Sequence, residues 1–499
     1  MGANFEPYEQ ESWIELKSDN FILHTSLNHD RALERLHQFE LIHHLVSQLS
    51  TIDVGNGAKP TRILLLEDKT GLRQLGVDSR YGGVFLESLR ENLIVIRDAR
   101  LRYMHEEVHY LYIKHLLTAA SSEPIPTWIT EGIAHYLRTL TVNHADKTIR
   151  MGMFSRFDDN WANSVCGWAS VRELLNSSTN LTCDSAIQAD WPFREILQIP
   201  KLRRKLGDYL TRLRNGESSV ASFSTAFDID IDGFESQLAK YSNKKSIDTW
   251  LLDVSDFLTR LKIQSTKMKK SHVALMLGKV ALQTRQVNAA RHWSSMALSD
   301  AELRGEALAV LGMSSLYEKD VDAADTHFSE ALEIDPENVP VLLDTAKLWL
   351  RRGFDERDTE IRQQHLARAR SIIGRAWKID DTEPEVYALY GRSFILQKDY
   401  KQALDSLEAA VRMQPSHAGV ILDLAHSYHK LNRESDAEQL FDTVARMAHF
   451  DFTQRSPFND RNSYVSKNLG DPGWKLRKRS AVPYYSERSA YQDRIEFWY

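Results

Sequence analysis

Residues 312–336, GMSSLYEKDVDAADTHFSEALEIDP, decide how the second half of the chain folds. The same spacing returns in residues 391–415, GRSFILQKDYKQALDSLEAAVRMQP. The matching places are held by Gly312, Ala324, Phe328, Ala331 and Pro336 in the first stretch, and by Gly391, Ala403, Leu407, Ala410 and Pro415 in the second. Offsets kept in register between two copies predict repeated helix pairs rather than a plain helical bundle.

Weaker copies of the pattern flank the two clear ones. They contain Gly278, Ala290 and Ala297 on one side, and Tyr428, Ala437 and Phe441 on the other; a unit between the clear copies has Ala346, Ala369 and Ala376 with an insertion around residues 354–364. Small residues let two helices approach closely, the large residue fills the remaining gap, and the proline ends the second helix. Each pair leaves an apolar face that only a neighbour can cover, so about five units in residues 271–452 predict a stacked solenoid.

These repeats resemble the tetratricopeptide repeat. The resemblance implies an all-α solenoid with a concave face that binds a protein partner. Residues 246–270 are expected to form a connecting helix before the repeats. Residues 453–499 form a tail rich in aromatic and basic residues, which either caps the last repeat or lies as a strap in a groove.

Residues 1–245 mix strand and helix signals. Five short β-rich runs surround one helical stretch at residues 31–49: WIELKSD, FILHTS, TRILLLED, GGVFLES and NLIVIRD. Helices are predicted further on at residues 99–118, 126–140, 171–175, 193–213 and 231–241. A small sheet followed by helices is an α+β domain.

Residues 105–109, HEEVH, lie in the first of those later helices. Residues four apart on a helix lie one above the other, so His105 and His109 can reach one metal ion. Glu106 projects about 100° away, towards a water bound to that ion. Neutral imidazoles suit zinc, and zinc lowers the pKa of its water towards ~7, so that a carboxylate can take the proton. The pattern predicts zinc on the two histidines and Glu106 as general base.

A zinc site of this kind needs a third ligand, and two residues compete for the role. His115 follows His109 by six residues, but a return to the metal there needs a glycine at position 112, which is Tyr112. The helix therefore continues, and His115 is expected to be a surface or packing residue. Glu131 comes early in the second helix, beyond a break at Pro126, and an antiparallel return would let it face the metal.

HEEVH followed by PTWITEGIAHY at residues 126–136 resembles the gluzincin metallopeptidases, in particular the peptidase MA-like group, whose second helix has the pattern W-x-x-E-G-x-A-x-Y. The similarity covers roughly residues 13–241. It implies a zincin-like α+β fold, Zn²⁺ held by His105, His109 and Glu131, and Glu106 as general base.

The same resemblance raises questions about neighbouring residues. Family members often place an acidic residue one turn after the third ligand, where this chain has His135. Tyr136, His135 and Tyr110 are the candidates for stabilising an oxyanion, with packing as the alternative for each. The strand at residues 92–96 is expected at the sheet edge where an extended peptide pairs, or else to be an ordinary strand.

Composition limits the class of protein. The chain has 499 residues, 42% hydrophobic and 26% charged, with a net charge of −6. These values are typical of a globular protein of two or three domains, and they disfavour general disorder and a mainly nucleic-acid-binding role. The sequence contains no run of roughly 18 apolar residues, so no membrane span is predicted.

The start of the sequence resembles no secretory signal, so a cytoplasmic location is expected, with periplasmic or secreted locations left open. Cys166 and Cys183 are too few for a cysteine zinc site, and whether they pair is left open.

Two functions follow from these patterns. The first is a zinc-dependent metallopeptidase that hydrolyses peptide bonds, with the repeats recognising a protein. The alternative is a catalytically inactive, peptidase-like repeat scaffold that binds partner proteins. Either way the expected partners are peptides or proteins, as substrate or as ligand of the concave face, and not nucleic acid.

Overall fold

The computed structural model describes residues 12–50, 54, 59–77, 82–99, 105–120, 125–153, 170–176, 190–238 and 249–453. The chain divides into two compact units. The N-terminal unit comprises residues 6–86 and 91–268, and the repeat unit comprises residues 1–5, 87–90 and 269–499. Cys166, Cys183 and residues 454–499 lie outside the described residues. Whether the two cysteines pair therefore stays open, and the cap and the strap both stay predictions for the tail.

The N-terminal unit contains a six-stranded sheet in the order β4-β5-β3-β2-β1-β9. Its strands are β1 (Ile14–Lys17), β2 (Phe21–Thr25), β3 (Thr61–Leu66), β4 (Gly83–Leu86), β5 (Leu93–Arg97) and β9 (Gln264–Lys267). Strands β2, β3 and β5 run parallel, and β1, β4 and β9 pair antiparallel. The continuous apolar runs of β3 and β5 suit central strands that are buried on both faces. All five strands predicted from the sequence are confirmed.

A second sheet and a set of helices complete this unit. The second sheet has the order β6-β7-β8, with β6 at Thr141–Asn143, β7 at Thr148–Met151 and β8 at Trp250–Asp253. The helices are α1 (His29–Ser50), α2 (Lys69–Gln74), α3 (Glu106–Ala119), α4 (Thr127–Leu137), α5 (Val171–Asn176), α6 (Asp190–Gln198), α7 (Pro200–Arg203), α8 (Leu206–Arg214), α9 (Ser219–Phe227), α10 (Ile231–Leu238) and α11 (Ser255–Arg260).

Two sequence predictions for this unit are wrong. The helix expected at residues 193–213 is three helices, because Pro200 lacks an amide hydrogen and biases Ile199 away from helical geometry. The connecting helix expected at residues 246–270 is strand β8, helix α11 and strand β9. Strand β9 pairs with β1 in the register Ile14↔Lys267, so a partner some 250 residues earlier overrides the local pattern. The first domain accordingly extends to residue 268 rather than 245.

In the repeat unit the described helices form five consecutive pairs. The pairs are α12 (Lys270–Gln283) with α13 (Val287–Ala297), α14 (Arg304–Tyr317) with α15 (Val321–Ile334), α16 (Val339–Asp355) with α17 (Thr359–Ile379), α18 (Pro384–Leu396) with α19 (Tyr400–Met413), and α20 (Ala418–Lys430) with α21 (Glu434–Thr453). The insertion expected around residues 354–364 lengthens α16 to 17 residues and α17 to 21 residues. None of the described helices is both long and apolar enough to cross a membrane.

Close approach of the paired helices explains the small residues of the repeat pattern. A Cβ atom added to Gly312 would lie 2.6 Å from the ring of Phe328, and one added to Gly391 would lie 2.6 Å from Leu407. Phe328 and Leu407 are fully buried. The predicted pairing of a small residue with a large one is therefore confirmed in these two helix pairs.

We expect Gly312→Ala to destabilise the repeat unit by about 1–3 kcal/mol, because the added methyl group overlaps the Phe328 ring. The matched control is Gly374→Ala, since a Cβ at this helical glycine meets nothing within 4 Å. That substitution should stabilise the unit by up to about 1 kcal/mol through helix propensity alone. Urea denaturation measures both changes. Equal effects of the two substitutions would show that the close approach at Gly312 is not rigid.

Candidate functional sites

The HEEVH motif lies where strand β5 leads into helix α3. His105 is the residue before the first turn of α3, and the backbone amide of His109 donates to its carbonyl oxygen at 2.9 Å. The centroids of the two imidazole rings lie 6.1 Å apart. His105, His109 and Glu106 are all buried, and Glu106 has no exposed surface. The predicted neighbourhood of two histidines and a glutamate is therefore present at the start of the helix.

Backbone carbonyl groups fix the tautomers of both histidines. His105 Nε2 lies 2.8 Å from the carbonyl oxygen of Arg97, and His109 Nδ1 lies 3.1 Å from that of Arg138. A carbonyl oxygen can only accept, so both of these nitrogens carry a proton and donate. His109 Nε2 then presents a lone pair, and it has no hydrogen-bond partner among the described residues. Burial lowers the pKa of His105 to about 4 and the pKa of His109 to about 3, so both rings are neutral at pH 7, as a metal ligand must be.

Glu131, the predicted third ligand, is held by a different face of α3. Lys114 Nζ donates to its Oε1 at 2.6 Å, and the Tyr110 hydroxyl donates to its Oε2 at 2.9 Å. Positions 110 and 114 lie about 100° and 140° around the helix from His109, so the two residues that hold the carboxylate lie off the face of the two histidines. Glu131 is fully buried, and the side chain of Lys114 is only 16% exposed. Lys114 lies outside both sequence motifs; its position one turn after Tyr110 is the signal in the sequence that points to it.

Burial opposes the charges of this pair, and the contact between the two groups offsets it only in part. Burial raises the pKa of Glu131, and the attraction of Lys114 and the hydrogen bond from Tyr110 act against that rise. Burial likewise lowers the pKa of Lys114, against the attraction of Glu131. Each group therefore depends on the other for its charged state, and the pair is a single structural feature joining α3 to α4.

In this arrangement the predicted ligands are not assembled around one metal ion, and the zinc site stays a prediction. Among the described residues no three His, Cys, Asp or Glu side chains lie close enough together to hold a metal ion. His109 has the orientation of a ligand, but both oxygens of Glu131 are engaged by Lys114 and Tyr110. His105, His109 and Glu131 therefore do not fit a zinc ion as they stand.

The remaining candidates of the motif region have packing contacts. His115 accepts a hydrogen bond from Asn92 Nδ2 at 2.9 Å, and its ring centroid lies 5.1 Å from that of Phe85. Tyr136 packs on Phe193, with the Arg194 guanidinium 5.2 Å from its ring. The contacts of His115 match the packing role expected from the sequence.

His135 and Tyr110 lie against each other beside Glu131. Their ring centroids are 5.1 Å apart, and His135 Nε2 is 3.9 Å from Glu131 Oε2. Tyr110 donates its hydroxyl proton to Glu131, so in this arrangement it holds a carboxylate. The role of His135 and Tyr110 in stabilising an oxyanion stays a prediction.

Of the two roles expected for the strand at residues 92–96, the sheet edge that pairs with a peptide is wrong. Strand β5 lies between β3 and β4, so it is not an edge of the sheet. The edge on this side is β4, which pairs antiparallel with β5 through Gly83↔Ile96 to Leu86↔Leu93. Only the six residues 87–92 separate β4 from β5, so this antiparallel pair can form locally, and it covers β5.

A second cluster of buried charges lies within the repeat unit. Asp344 and Lys347 are on α16, and Glu385 is in the first turn of α18. Lys347 Nζ contacts Glu385 Oε1 at 2.5 Å and Asp344 Oδ1 at 3.3 Å. Arg90, from the part of the chain between β4 and β5 that belongs to the repeat unit, completes the cluster. We call these four residues the repeat-unit charge cluster.

Arg90 contacts both carboxylates of this cluster. Its Nη1 and Nη2 donate to the two oxygens of Asp344 at 3.0 Å and 2.6 Å, and its Nε donates to Glu385 Oε2. Burial works to lower the pKa of Arg90, but Asp344 and Glu385 outweigh it and raise the pKa. No local sequence pattern predicts this cluster, because Arg90 and Asp344 are 254 residues apart.

Family models match two parts of the repeat unit. Residues 305–338 and residues 394–454 each match the tetratricopeptide repeat family. Solved structures similar to this chain include a thermophilic TPR protein of Thermus thermophilus, with 18% identity, 38% of this chain and 98% of that chain covered, and a TM-score of 0.34. Another is pilF of Pseudomonas aeruginosa, with 20% identity, 39% and 87% covered, and a TM-score of 0.30. No curated protein matches this chain.

The family matches coincide with the helix pairs described above. Residues 305–338 span α14 and α15, and residues 394–454 span the end of α18 to α21. The small and large residues that meet across these pairs are those of the repeat pattern. Residues 305–338 and 394–454 of this chain are therefore tetratricopeptide repeats.

Proposed function

We propose that this chain is a protein-interaction scaffold, in which the tetratricopeptide repeats recognise a partner protein and the N-terminal unit has a peptidase-like fold without peptidase activity. The family matches of the repeats support the interaction role. The resemblance of residues 105–136 to the gluzincins supports the peptidase-like origin of the N-terminal unit.

The observation that carries this proposal is the binding of Glu131 by Lys114 and Tyr110. A carboxylate ligand of zinc must offer an oxygen lone pair to the metal, and a nearby ammonium both competes for that oxygen and repels the cation. Lys114 contacts the carboxylate of Glu131 at 2.6 Å in a buried position, where charge interactions are screened least. A glutamate held in this way supports a structural role for the second motif.

A zinc metallopeptidase acting on peptide bonds is the second candidate function. The observation that favours it is His109, whose Nδ1 donates to Arg138 while the buried Nε2 has no hydrogen-bond partner among the described residues. Such a bond to the far nitrogen is how proteins orient histidine ligands of metals. Glu106 is buried in the same turn of helix. This candidate requires Glu131 to leave Lys114.

One experiment separates the two candidates. A library of short peptides is incubated with the full chain, with Glu106→Gln and with the neighbouring control Glu107→Gln, and the retained peptides are analysed by mass spectrometry. The scaffold proposal predicts that all three proteins retain the same peptides and return them uncut. Cleavage by the wild type and Glu107→Gln that is lost in Glu106→Gln would contradict it and support the peptidase. Retention of no peptide by any of them would also contradict it.

A further inference from the structure

Within the repeat unit, residues 87–90 lie against the repeats in the way that a bound peptide would. The segment Glu87-Ser88-Leu89-Arg90 is not part of a helix or a strand. Each of its four residues contacts the helix pairs that follow residue 338. Because an irregular segment leaves its backbone groups and side chains available, it is suited to recognition by side chains of the repeats.

The polar end of this segment meets the connection between α19 and α20. Glu87 Oε1 accepts a hydrogen bond from the Ser416 hydroxyl, and Gln414 Nε2 donates to the carbonyl oxygen of Ser88 at 2.9 Å. A side chain that bonds to the peptide backbone fixes its register without depending on its sequence. Gln414 therefore positions the segment, while Glu87 adds one side-chain contact.

The apolar residue of the segment fills a separate site. Leu89 is 3% exposed and belongs to a buried cluster that includes Ala388, Val420 and Leu424. Fully burying a leucine side chain strengthens binding, since its apolar surface leaves water. Leu89 is thus the apolar anchor of the segment, and the charged residue Arg90 follows it.

Arg90 is matched to its pocket by both geometry and charge. Without Arg90, two carboxylates (Asp344, Glu385) and one ammonium (Lys347) leave the pocket with a net charge of −1, so it requires a cation. Both oxygens of Asp344 receive parallel hydrogen bonds from the guanidinium, and a third goes to Glu385. A lysine ammonium cannot form this fork, so the geometry selects arginine.

We propose that Asp344, Lys347 and Glu385 form an arginine-recognition pocket for partner proteins, which bind through an irregular segment containing Leu-Arg, and that residues 87–90 occupy this site as an internal ligand. The proposal rests on the interaction role proposed above and specifies the partner. The seated segment itself argues for the chemistry of the partner, since it satisfies the pocket's charge and the neighbouring apolar cluster together. Arg90 keeps 28% of its side chain exposed, which gives a competing arginine a route of entry.

An internal ligand has a defined effect on affinity. Its effective concentration is on the order of mM, so an external peptide must compete with it, and removing the internal arginine should strengthen external binding by ~10-fold or more. The probe is a fluorescein-labelled heptapeptide with the sequence of residues 86–92, LESLREN. Its matched control carries lysine in place of the arginine, LESLKEN.

Fluorescence anisotropy with the full chain measures the binding. We expect Arg90→Ala to bind LESLREN about 10-fold more tightly than the wild type does. The same variant should bind LESLKEN about 10-fold more weakly than it binds LESLREN. Adding Glu385→Gln to Arg90→Ala should remove most of the affinity for LESLREN. Failure of a folded Arg90→Ala protein to bind LESLREN, or equal binding of both peptides, would overturn the proposal. If Arg90→Ala does not fold, Leu89→Ala keeps the charge cluster intact, and it must likewise bind LESLREN more tightly than the wild type.

The two proposals can fail separately. If the protein shows no preference for arginine but still retains library peptides uncut, the pocket proposal is wrong and the scaffold proposal stands. If peptides are cleaved in a way that depends on Glu106, and Arg90→Ala still binds LESLREN, the scaffold proposal is wrong and the pocket proposal stands.

Discussion

Replacing Lys114 with methionine is expected to lower the free energy of unfolding of the N-terminal unit by about 3–5 kcal/mol, because it leaves a buried carboxylate without its cation. Glu131 has no exposed surface, and the hydrogen bond that it accepts from the Tyr110 hydroxyl brings no charge to it. Methionine matches the length of the lysine stem, so the loss measures the charge rather than a cavity. Guanidinium denaturation followed by tryptophan fluorescence gives the change.

The double variant Lys114→Met with Glu131→Leu tests the cause of that loss. Replacing both members of a buried ion pair with apolar residues of similar volume is often neutral or stabilising, so much of the loss should be recovered. Lys262→Met, at an exposed lysine of the same unit, is the matched control and should change stability by no more than about 0.5 kcal/mol. A Lys114→Met protein as stable as this control would mean that Lys114 does not hold Glu131.

The second large effect is expected at Trp128, the tryptophan of the W-x-x-E-G-x-A-x-Y pattern. Trp128 is 1% exposed, its Nε1 donates to the Tyr209 hydroxyl at 3.0 Å, and its ring lies 5.8 Å from that of Phe223. It therefore joins α4 to α8 and α9. Trp128→Ala should destabilise the N-terminal unit by about 3–5 kcal/mol, through the lost apolar burial and the cavity that remains.

Trp128→Phe separates the hydrogen bond from the ring. It keeps most of the apolar volume and loses the bond to Tyr209, so we expect a cost of about 1–2 kcal/mol. Trp377→Ala is the control, because that ring is 51% exposed and its loss should cost no more than about 1 kcal/mol. Thermal unfolding followed by circular dichroism ranks the stabilities of the three variants. A Trp128→Ala protein no less stable than Trp377→Ala would contradict the anchoring role of this tryptophan.

The repeats were predictable from the sequence because their contacts are local. Gly312 meets Phe328 sixteen residues later, and Gly391 meets Leu407 at the same spacing. A pattern of small and large residues within one helix pair records such a contact directly. The runs of β3 and β5 were predictable for a related reason, since buried parallel strands are continuously apolar.

Features that depend on pairing between residues far apart in the chain could not be predicted from the sequence. Strand β9 has the sequence QSTK, which is entirely exposed and becomes a strand through its pairing with β1. The contact of Arg90 with Asp344 depends in the same way on residues far apart in the chain. At the motif, the spacing placed His105 and His109 together correctly. It could not reveal that Glu131 would pair with Lys114, since both partners of the carboxylate lie on the same helix as the histidines.

The most direct test of the scaffold account is the zinc content of the full chain after incubation with excess Zn²⁺ at about pH 7.5 and removal of unbound metal. Wild type, Glu131→Gln and His115→Gln are compared by mass spectrometry of the metal. The account predicts no zinc that depends on Glu131, so all three proteins retain the same substoichiometric amount. One zinc per chain in the wild type, lost in Glu131→Gln and kept in His115→Gln, would contradict the account and establish the gluzincin site.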